Sequence, residues 1–428
     1  MKVIVVGNGA REHALAWKLA ESPRVTALYA APGNPGIAQV AEVVPDIGVM
    51  DFDRIERFAR QNGVGLVVVG PEDPLAAGIA DRLIGAGLKV FGPTRDAARV
   101  EADKWFAKEL MRQQSIPTAE ARSFTDPAAA EEFVRVRDEP VVVKAAGLAK
   151  GKGVTVCYRT SDAIDAIDAA MRRRVHGEAG GRVVIEELLT GPEVSVLAFV
   201  DRKNIYVMES SQDHKPVDDG DTGPMTGGMG AYSPTPVITD AVLRQIEKDV
   251  LVPAVDGLVR DGIEYKGVLY AGMMLTTSGP RVLEFNCRFG DPETQPLMMR
   301  LNSDLLEVML AVAEGRLDQV TLKWDPRPAL CVVAASRGYP GKYPTGVPIT
   351  GVDKADGMPD VKVFQGGTRS DGGRLVTDGG RVLSVTALGK TLAEAQRRAY
   401  QAMGQIHFDG IHYRRDIGWR AIGRGGGA

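Results

Sequence analysis

The sequence predicts a multidomain α/β and α+β chain. A parallel-sheet domain is expected at residues 1–103, a central domain of strands and hairpins at 104–315, and a mixed α+β domain at 316–428. Three observations carry this expectation. Through the first hundred residues, apolar strand-like runs alternate with helical stretches, the pattern of a helix-covered parallel sheet. From Lys104 onward the alternation gives way to strands paired across glycine-rich turns. Beyond Gly315, strands stand among Gly- and Pro-rich turns, followed by one helical stretch at 392–403.

In the first domain, residues 3–6 read as a buried strand. Residues 11–21 read as a helix, with Leu15 and Leu19 four apart on one face. Residues 25–30, 66–69 and 89–91 are further strands, and 101–114 is a helix. The turns Gly7-Asn8-Gly9, Ala31-Pro32-Gly33 and Gly70-Pro71-Glu72 fall at the carboxyl ends of strands, where open α/β sheets bind ligands. In the central domain, 141–144 leads through a glycine-rich tip into a returning strand at 154–156. A helix at 163–173 and strands at 183–189 and 194–200 follow, and a subdomain is expected at about 118–190. Residues 212–236 read as one long glycine-rich loop; loops of that length are usually functional. A strand at 268–275, the turn Ser278-Gly279-Pro280 and a strand running on through Arg288 close this domain. In the third, 330–335 and 382–387 are strands, and the tail from Gly423 reads as flexible.

Composition narrows the classes. Hydrophobic residues make up 44% and charged residues 25%, which suits a globular protein. Lys plus Arg number 52 against 55 acids, so the formal charge of −3 points to no bulk nucleic-acid or membrane partner. The three cysteines, Cys157, Cys287 and Cys331, lack metal-type spacing and suit a reducing cytoplasm. The first strand stops at Gly7-Asn8 and is no signal peptide.

The richest stretch is Glu284-Phe285-Asn286-Cys287-Arg288. On a strand, Glu284, Asn286 and Arg288 share one face, with Leu283, Phe285 and Cys287 behind it. A carboxylate, an amide oxygen and a guanidinium on one edge are what a magnesium-polyphosphate site needs. A solvated strand face is the plainer reading. Gly147, Gly151 and Gly153, with Lys150 and Lys152, form a hairpin tip able to cover nucleotide phosphates. The spacing is not that of a Walker loop. Backbone groups near Glu186-Glu187 could read an adenine edge, and Glu193 could accept from ribose hydroxyls. Alone, that segment reads more readily as a solvated strand end. Gly7-Asn8-Gly9-Ala10-Arg11-Glu12 fails the dinucleotide fingerprint at Glu12 but leaves a phosphate at the helix N-terminus reasonable. His13 reads as structural, and His214 as the better histidine for a substrate contact.

These motifs together resemble the phosphoribosylamine–glycine ligase (glycinamide ribonucleotide synthetase) family, ATP-grasp enzymes of purine synthesis. The most specific matches are Gln212-Asp213-His214-Lys215, Thr226-Gly227-Gly228-Met229-Gly230 and Glu284 to Pro296, with Gly9 to Ala14 and Phe408 to Gly418 agreeing. The resemblance covers nearly the whole chain. It implies a central ATP-grasp domain and ATP-dependent joining of glycine to 5-phosphoribosylamine through glycyl phosphate. It implies ATP and Mg²⁺ (or Mn²⁺), with Glu284 and Asn286 as metal ligands and Arg288 and Lys144 as catalytic groups. Lys104, Lys144, Gly147, Lys152, Gly153, Glu186, Glu187, Leu189 and Glu193 would hold the nucleotide. Gly9, Arg11, Glu12, Asp213, His214, Lys215, Gly228, Met229 and Asp291 would hold the other substrates. A cytoplasmic monomer or weak dimer is expected. Ala146, Lys150 and Met225 depart from the family pattern, where Asp, a small residue and Asn are usual. The rival readings are an ATP-grasp ligase for another acid and amine, and a nucleotide-binding regulator without catalysis.

Overall fold

The computed structural model describes residues 1–149, 153–202 and 204–423. The expected contributions of Lys150 and Lys152, and the tail beyond Gly423, lie outside the described residues. The first domain is a parallel sheet of β1 (Lys2–Gly7), β2 (Ala27–Pro32), β3 (Glu42–Val43), β4 (Leu66–Val69) and β5 (Val90–Phe91), in the order β3-β2-β1-β4-β5. Both faces are covered. Ile4 and Val6 pack into one core cluster with Ile55 and Leu83, and Val3 and Val5 into another with Leu15 and Leu19. This is why the strand reads as an unbroken apolar run.

The helix expected at 101–114 is two helices, Arg95–Ala102 and Lys104–Gln113. Asp103 stands extended between them, and its carboxylate accepts from the N–H groups of Trp105 and Phe106. A capping acid inside a helical pattern starts a new helix and sends the chain off at an angle. Here the break leaves Glu101 at the end of one helix and Lys104 at the start of the next.

Next comes an antiparallel subdomain sheet of β6 (Ala121–Phe124), β7 (Val141–Ala145), β8 (Val154–Cys157) and β9 (Val183–Glu187), in the order β6-β9-β7-β8. The helix expected at 163–173 is Thr160–Ile167, continued by a wider turn, Asp168–Arg172. The larger central sheet combines β10 (Glu193–Asp201) and β11 (Asn204–Val207) with two later strands that form its other edge. The segment 212–236 is not one loop. It contains β12 (Gln212–Asp213), β13 (Pro216–Asp218), β14 (Thr222–Met225) and β15 (Gly230–Ser233). β15 is buried throughout, with Tyr232 fully enclosed.

The other edge of the central sheet is β16 (Lys266–Thr276) and β17 (Gly279–Asn286), giving the order β11-β10-β16-β17. The C-terminal sheet adds β18 (Ala329–Ala335), β19 (Val361–Gln365) and, after a hairpin of β20 (Thr368–Asp371) and β21 (Arg374–Thr377), β22 (Arg381–Leu388). Its order is β12-β15-β18-β22-β19, so two strands from the 104–315 stretch complete it. β15 pairs antiparallel with β18, from Gly230↔Val332 to Ser233↔Ala329. The helix Leu392–Met403 covers this sheet. Among the described residues, no helix is long and apolar enough to cross a membrane.

Candidate active site

β17 is the edge strand that carries Glu284 and Asn286, and its register differs from simple alternation. Glu284 pairs with Gly272 of β16, whereas Val282 pairs with Met273, so Leu283 is the extra residue of a bulge. A bulge re-aims the side chains beyond it. Val282, not Leu283, therefore joins Phe285 and Cys287 in the core. The strand ends at Asn286, and Arg288 lies past it rather than on it.

Glu284 sits among cations. Lys215 Nζ is 3.8 Å away. Burial opposes ionisation, but the charges of Lys215, Lys144 and Lys104 outweigh it and hold the carboxyl below its usual range. Asn286 Oδ1 accepts from Arg288 Nη2 at 3.3 Å. Among the described residues, no three His, Cys, Asp or Glu side chains form a metal cage. An ionised carboxylate beside an amide oxygen fits a hard cation whose shell is completed by phosphate and water.

Arg288 is held by two acids the sequence reading missed. Nε donates to Glu72 at 3.2 Å and Nη2 to Glu101 at 2.8 Å, while Nη1 donates to Phe289 O at 3.2 Å. Glu101 also accepts from the Cys287 N–H at 2.8 Å. Burial pushes Glu72 up, yet Arg288 and Arg11 outweigh it and bring its pKa to about 2. For Glu101 burial prevails over Arg288, and its pKa is raised. Glu72 stands in a strand-end turn and could have been suspected. Nothing in the sequence marks Glu101.

The expected nucleotide residues converge beside this edge. Lys144 Nζ donates to Leu283 O and pairs with Glu186, both at 3.0 Å. Lys108, which the sequence reading missed, also reaches Glu186, at 3.2 Å. Burial lowers the Lys108 pKa to about 8. Deleting Glu186 would strand two buried ammonium groups, at a cost on the order of 3–5 kcal/mol. Lys104 Nζ donates to Gly147 O at 3.2 Å, and burial lowers its pKa against the pull of Glu284. Gly147 packs on Ala179, whose Cα would lie 2.8 Å from an added Cβ, and Gly153 similarly faces Ala149. Glu187 accepts from Glu120 N–H and from Arg281, so the side chains of Glu186 and Glu187 are both committed internally. β9 ends at Glu187, and half-buried Leu189 follows two residues later. Glu193 pairs with Lys215 at 3.1 Å, and this pairing holds the Lys215 pKa well above its usual value.

The remaining expected residues divide into two groups. Glu12 is buried, accepting from Gly9 N–H at 2.7 Å and Arg11 Nε at 2.6 Å. It packs over Gly7 and Gly70, where added Cβ atoms would come within 2.4 and 2.1 Å of it. It braces the turn from within. Arg11 is likewise tied down, donating to Phe289 O at 3.1 Å. His214 is fully buried, its Nε2 accepting from Gly418 N–H at 3.2 Å. Burial lowers its pKa to about 3, so the ring is neutral and braces the C-terminal segment. Met229 packs with Val217 and Ala335. Met225, by contrast, is exposed on β14.

Gly9, Asp213, Gly228 and Asp291 do come together. At Gly228 (φ +112°), an added Cβ would lie 2.4 Å from Pro292 Cδ and 2.8 Å from Asp213 Oδ1. At Gly9, an added Cβ would lie 3.7 Å from Asp291 Oδ2. Burial and nearby Glu293 raise the Asp213 pKa. Burial opposes ionisation of Asp291, but Arg381 and Arg11 outweigh it and lower its pKa. Glu293 itself accepts from Tyr270 Oη at 2.7 Å and Ser195 Oγ at 3.0 Å.

Known proteins resemble this chain along nearly its whole length. Models of the phosphoribosylglycinamide synthetase N domain, ATP-grasp (A) domain and C domain match residues 1–101, 102–294 and 329–420. A phosphoribosylamine–glycine ligase from Rhodopirellula baltica is 51% identical, covering 98% of each chain. The chain belongs to the phosphoribosylglycinamide synthetase family. A Vibrio cholerae phosphoribosylamine–glycine ligase is 50% identical across 99% of each chain. The solved phosphoribosylamine–glycine ligase of Thermotoga maritima aligns with a TM-score of 0.85 at 31% identity, covering 97% of this chain and all of that one. The biotin carboxylase domain of a Hydrogenobacter thermophilus 2-oxoglutarate carboxylase shares the fold, with a TM-score of 0.73 at 15% identity over 96% of this chain and 91% of that one.

Proposed function

We propose that the two halves of this cleft divide the family's reaction between them. The chain is an ATP-dependent ligase that joins glycine to 5-phosphoribosylamine in purine biosynthesis, giving glycinamide ribonucleotide, ADP and phosphate. A carboxylate is a poor acyl donor, since oxide is a poor leaving group. Phosphorylation removes that obstacle. A glycine carboxylate oxygen attacks the γ-phosphorus, the bond to the ADP oxygen breaks, and glycyl phosphate results. The amine of phosphoribosylamine then attacks the glycyl carbon, phosphate departs with the C–O electron pair, and the amine gives up a proton.

Phosphoryl transfer is served mainly by positioning and charge neutralisation. Lys104 and Lys144 neutralise nucleotide phosphates, and the backbone after Glu187, beside Leu189, takes the adenine edge. Glu193 faces the ribose. Glu284 and Asn286 would hold Mg²⁺ or Mn²⁺, which when bound shields phosphate charge. Arg288 has four of its five N–H groups engaged among the described residues, leaving one on Nη1. Two acids damp its long-range field, so its contribution is a directed hydrogen bond to the moving phosphoryl group rather than free charge. Gly9, Asp213, Gly228 and Asp291 form the half that takes glycine and phosphoribosylamine. The observation that carries this reading is Glu284, kept ionised by three lysines beside Asn286 at the end of β17.

Glycine labelled with ¹⁸O in its carboxylate tests the acyl phosphate directly. One labelled oxygen per turnover is expected in the released phosphate. Phosphate free of label would exclude glycyl phosphate.

A further inference from the structure

Arg381 opens β22 in the C-terminal domain, outside every motif described above. A single nitrogen, Nη1, donates to Asp291 O at 2.6 Å and Gly227 O at 2.7 Å, with Gly228 O at 3.4 Å. The same nitrogen lies 3.5 Å from Asp291 Oδ1. These acceptors belong to two separate segments, the turn after β14 and the turn after β17. The first packs Gly228 against Asp213, and the second carries Asp291. Gly227 lies against the guanidinium, where an added Cβ would be 3.2 Å from Arg381 Cζ, and Gly227 N–H donates to Tyr339 Oη at 3.0 Å.

Three carbonyl oxygens converging on one nitrogen favour a cation, since hydrogen bonds from charged donors are roughly twice as strong as neutral ones. Lys would supply charge without the planar fork that fixes direction. Methionine would leave the carbonyls without this donor. Among the described residues, no contact joins Arg381 to Lys104, Lys144, Glu186 or Glu284.

We infer that Arg381 is a positioning residue for the ligation. From the C-terminal domain, it locks the Gly227-Gly228 turn to the Asp291 turn, so that Asp213 and Asp291 meet glycine and phosphoribosylamine in one fixed geometry. This rests on assigning Asp213, Gly228 and Asp291 to the substrate half. Misplacing reacting groups by about 1 Å costs on the order of 100-fold in rate.

The test compares full-length Arg381→Met and Arg381→Lys with the parent chain. Steady-state rates are measured against each of the three substrates, and a non-hydrolysable ATP analogue with Mg²⁺ is titrated by calorimetry. Arg381→Met should lower kcat/KM for phosphoribosylamine and glycine by about 100-fold, with Arg381→Lys in between. Analogue affinity and the KM for ATP should stay within about twofold of the parent, since no nucleotide residue touches the clamp. Arg381→Lys keeps the test valid if the methionine variant fails to fold. A KM for ATP or an analogue affinity weakened as much as kcat/KM for the other two substrates, or activity unchanged in both variants, would overturn the clamp. Label transfer from glycine in the parent chain is independent of this outcome, so the clamp can fail while the acyl phosphate stands.

Discussion

At the scale of single residues, the site depends on charges that sustain one another. Glu284 remains a carboxylate because Lys215, Lys144 and Lys104 outweigh its burial, and Lys104 in turn is pulled toward its charged form by Glu284. Glu284→Gln preserves the shape and removes the charge. We expect at least a roughly 100-fold loss in ADP formation with the fold intact, by analogy with removal of a single transition-state stabilising group. Circular dichroism and a coupled ADP assay check both parts, and near-normal turnover in Mg²⁺ would refute the ligand role. The placement of Glu284 and Asn286 two apart on one strand was legible because it shows in residue type and spacing. Glu101 and Arg381 were not, since they lie 187 and 90 residues from the groups they hold. A long-range partner leaves no periodic trace.

At the scale of elements, two buried histidines pin segments that are distant in sequence. His13 Nδ1 accepts from Gln365 N–H of β19 at 2.9 Å, and His214 Nε2 accepts from Gly418. Burial lowers both pKa values to about 3, from 6.5 when exposed, helped by Lys362 near His13 and by Arg420 and Arg414 near His214. Between those values the unfolded chain binds more protons than the native one. The stability due to neutral burial is therefore complete above about pH 6.5 and lost as pH falls toward 3, at up to about 1.4 kcal/mol per pH unit for each ring. Urea denaturation at pH 7 and pH 5 should show a smaller drop for His13→Asn and for His214→Gln than for the parent. An unchanged drop would refute the assignment. The strand at 66–69 and the helix at 392–403 were legible to the residue, because apolar runs and periodicity define them locally. The helix at 101–114 was misread because the pattern continues through Asp103 while the backbone does not. The segment 212–236 was misread because β12 and β15 are short strands whose burial comes from partners elsewhere in the chain.

The whole molecule is cross-wired rather than beaded. Arg11 and Glu101 tie the first domain to the turn after β17, His13 and Asn34 tie it to β19, and Arg381 ties the last domain to Asp291. The three-region outline was legible from composition and alternation. The sharing of β12 and β15 with the C-terminal sheet was not, because strand order depends on tertiary pairing. A fragment spanning 102–294 would present β15 without β18, an exposed sheet edge of the kind that aggregates. It should be insoluble when expressed alone, and a soluble fragment that binds ATP would contradict this wiring.

The whole chain uses ATP to join glycine to phosphoribosylamine. The most direct measurement is ADP release by the full chain with ATP and Mg²⁺, adding glycine alone, phosphoribosylamine alone, or both. Sustained turnover only when both are present, with one ADP per glycinamide ribonucleotide formed, is the predicted result. ADP release that ignores phosphoribosylamine would contradict it.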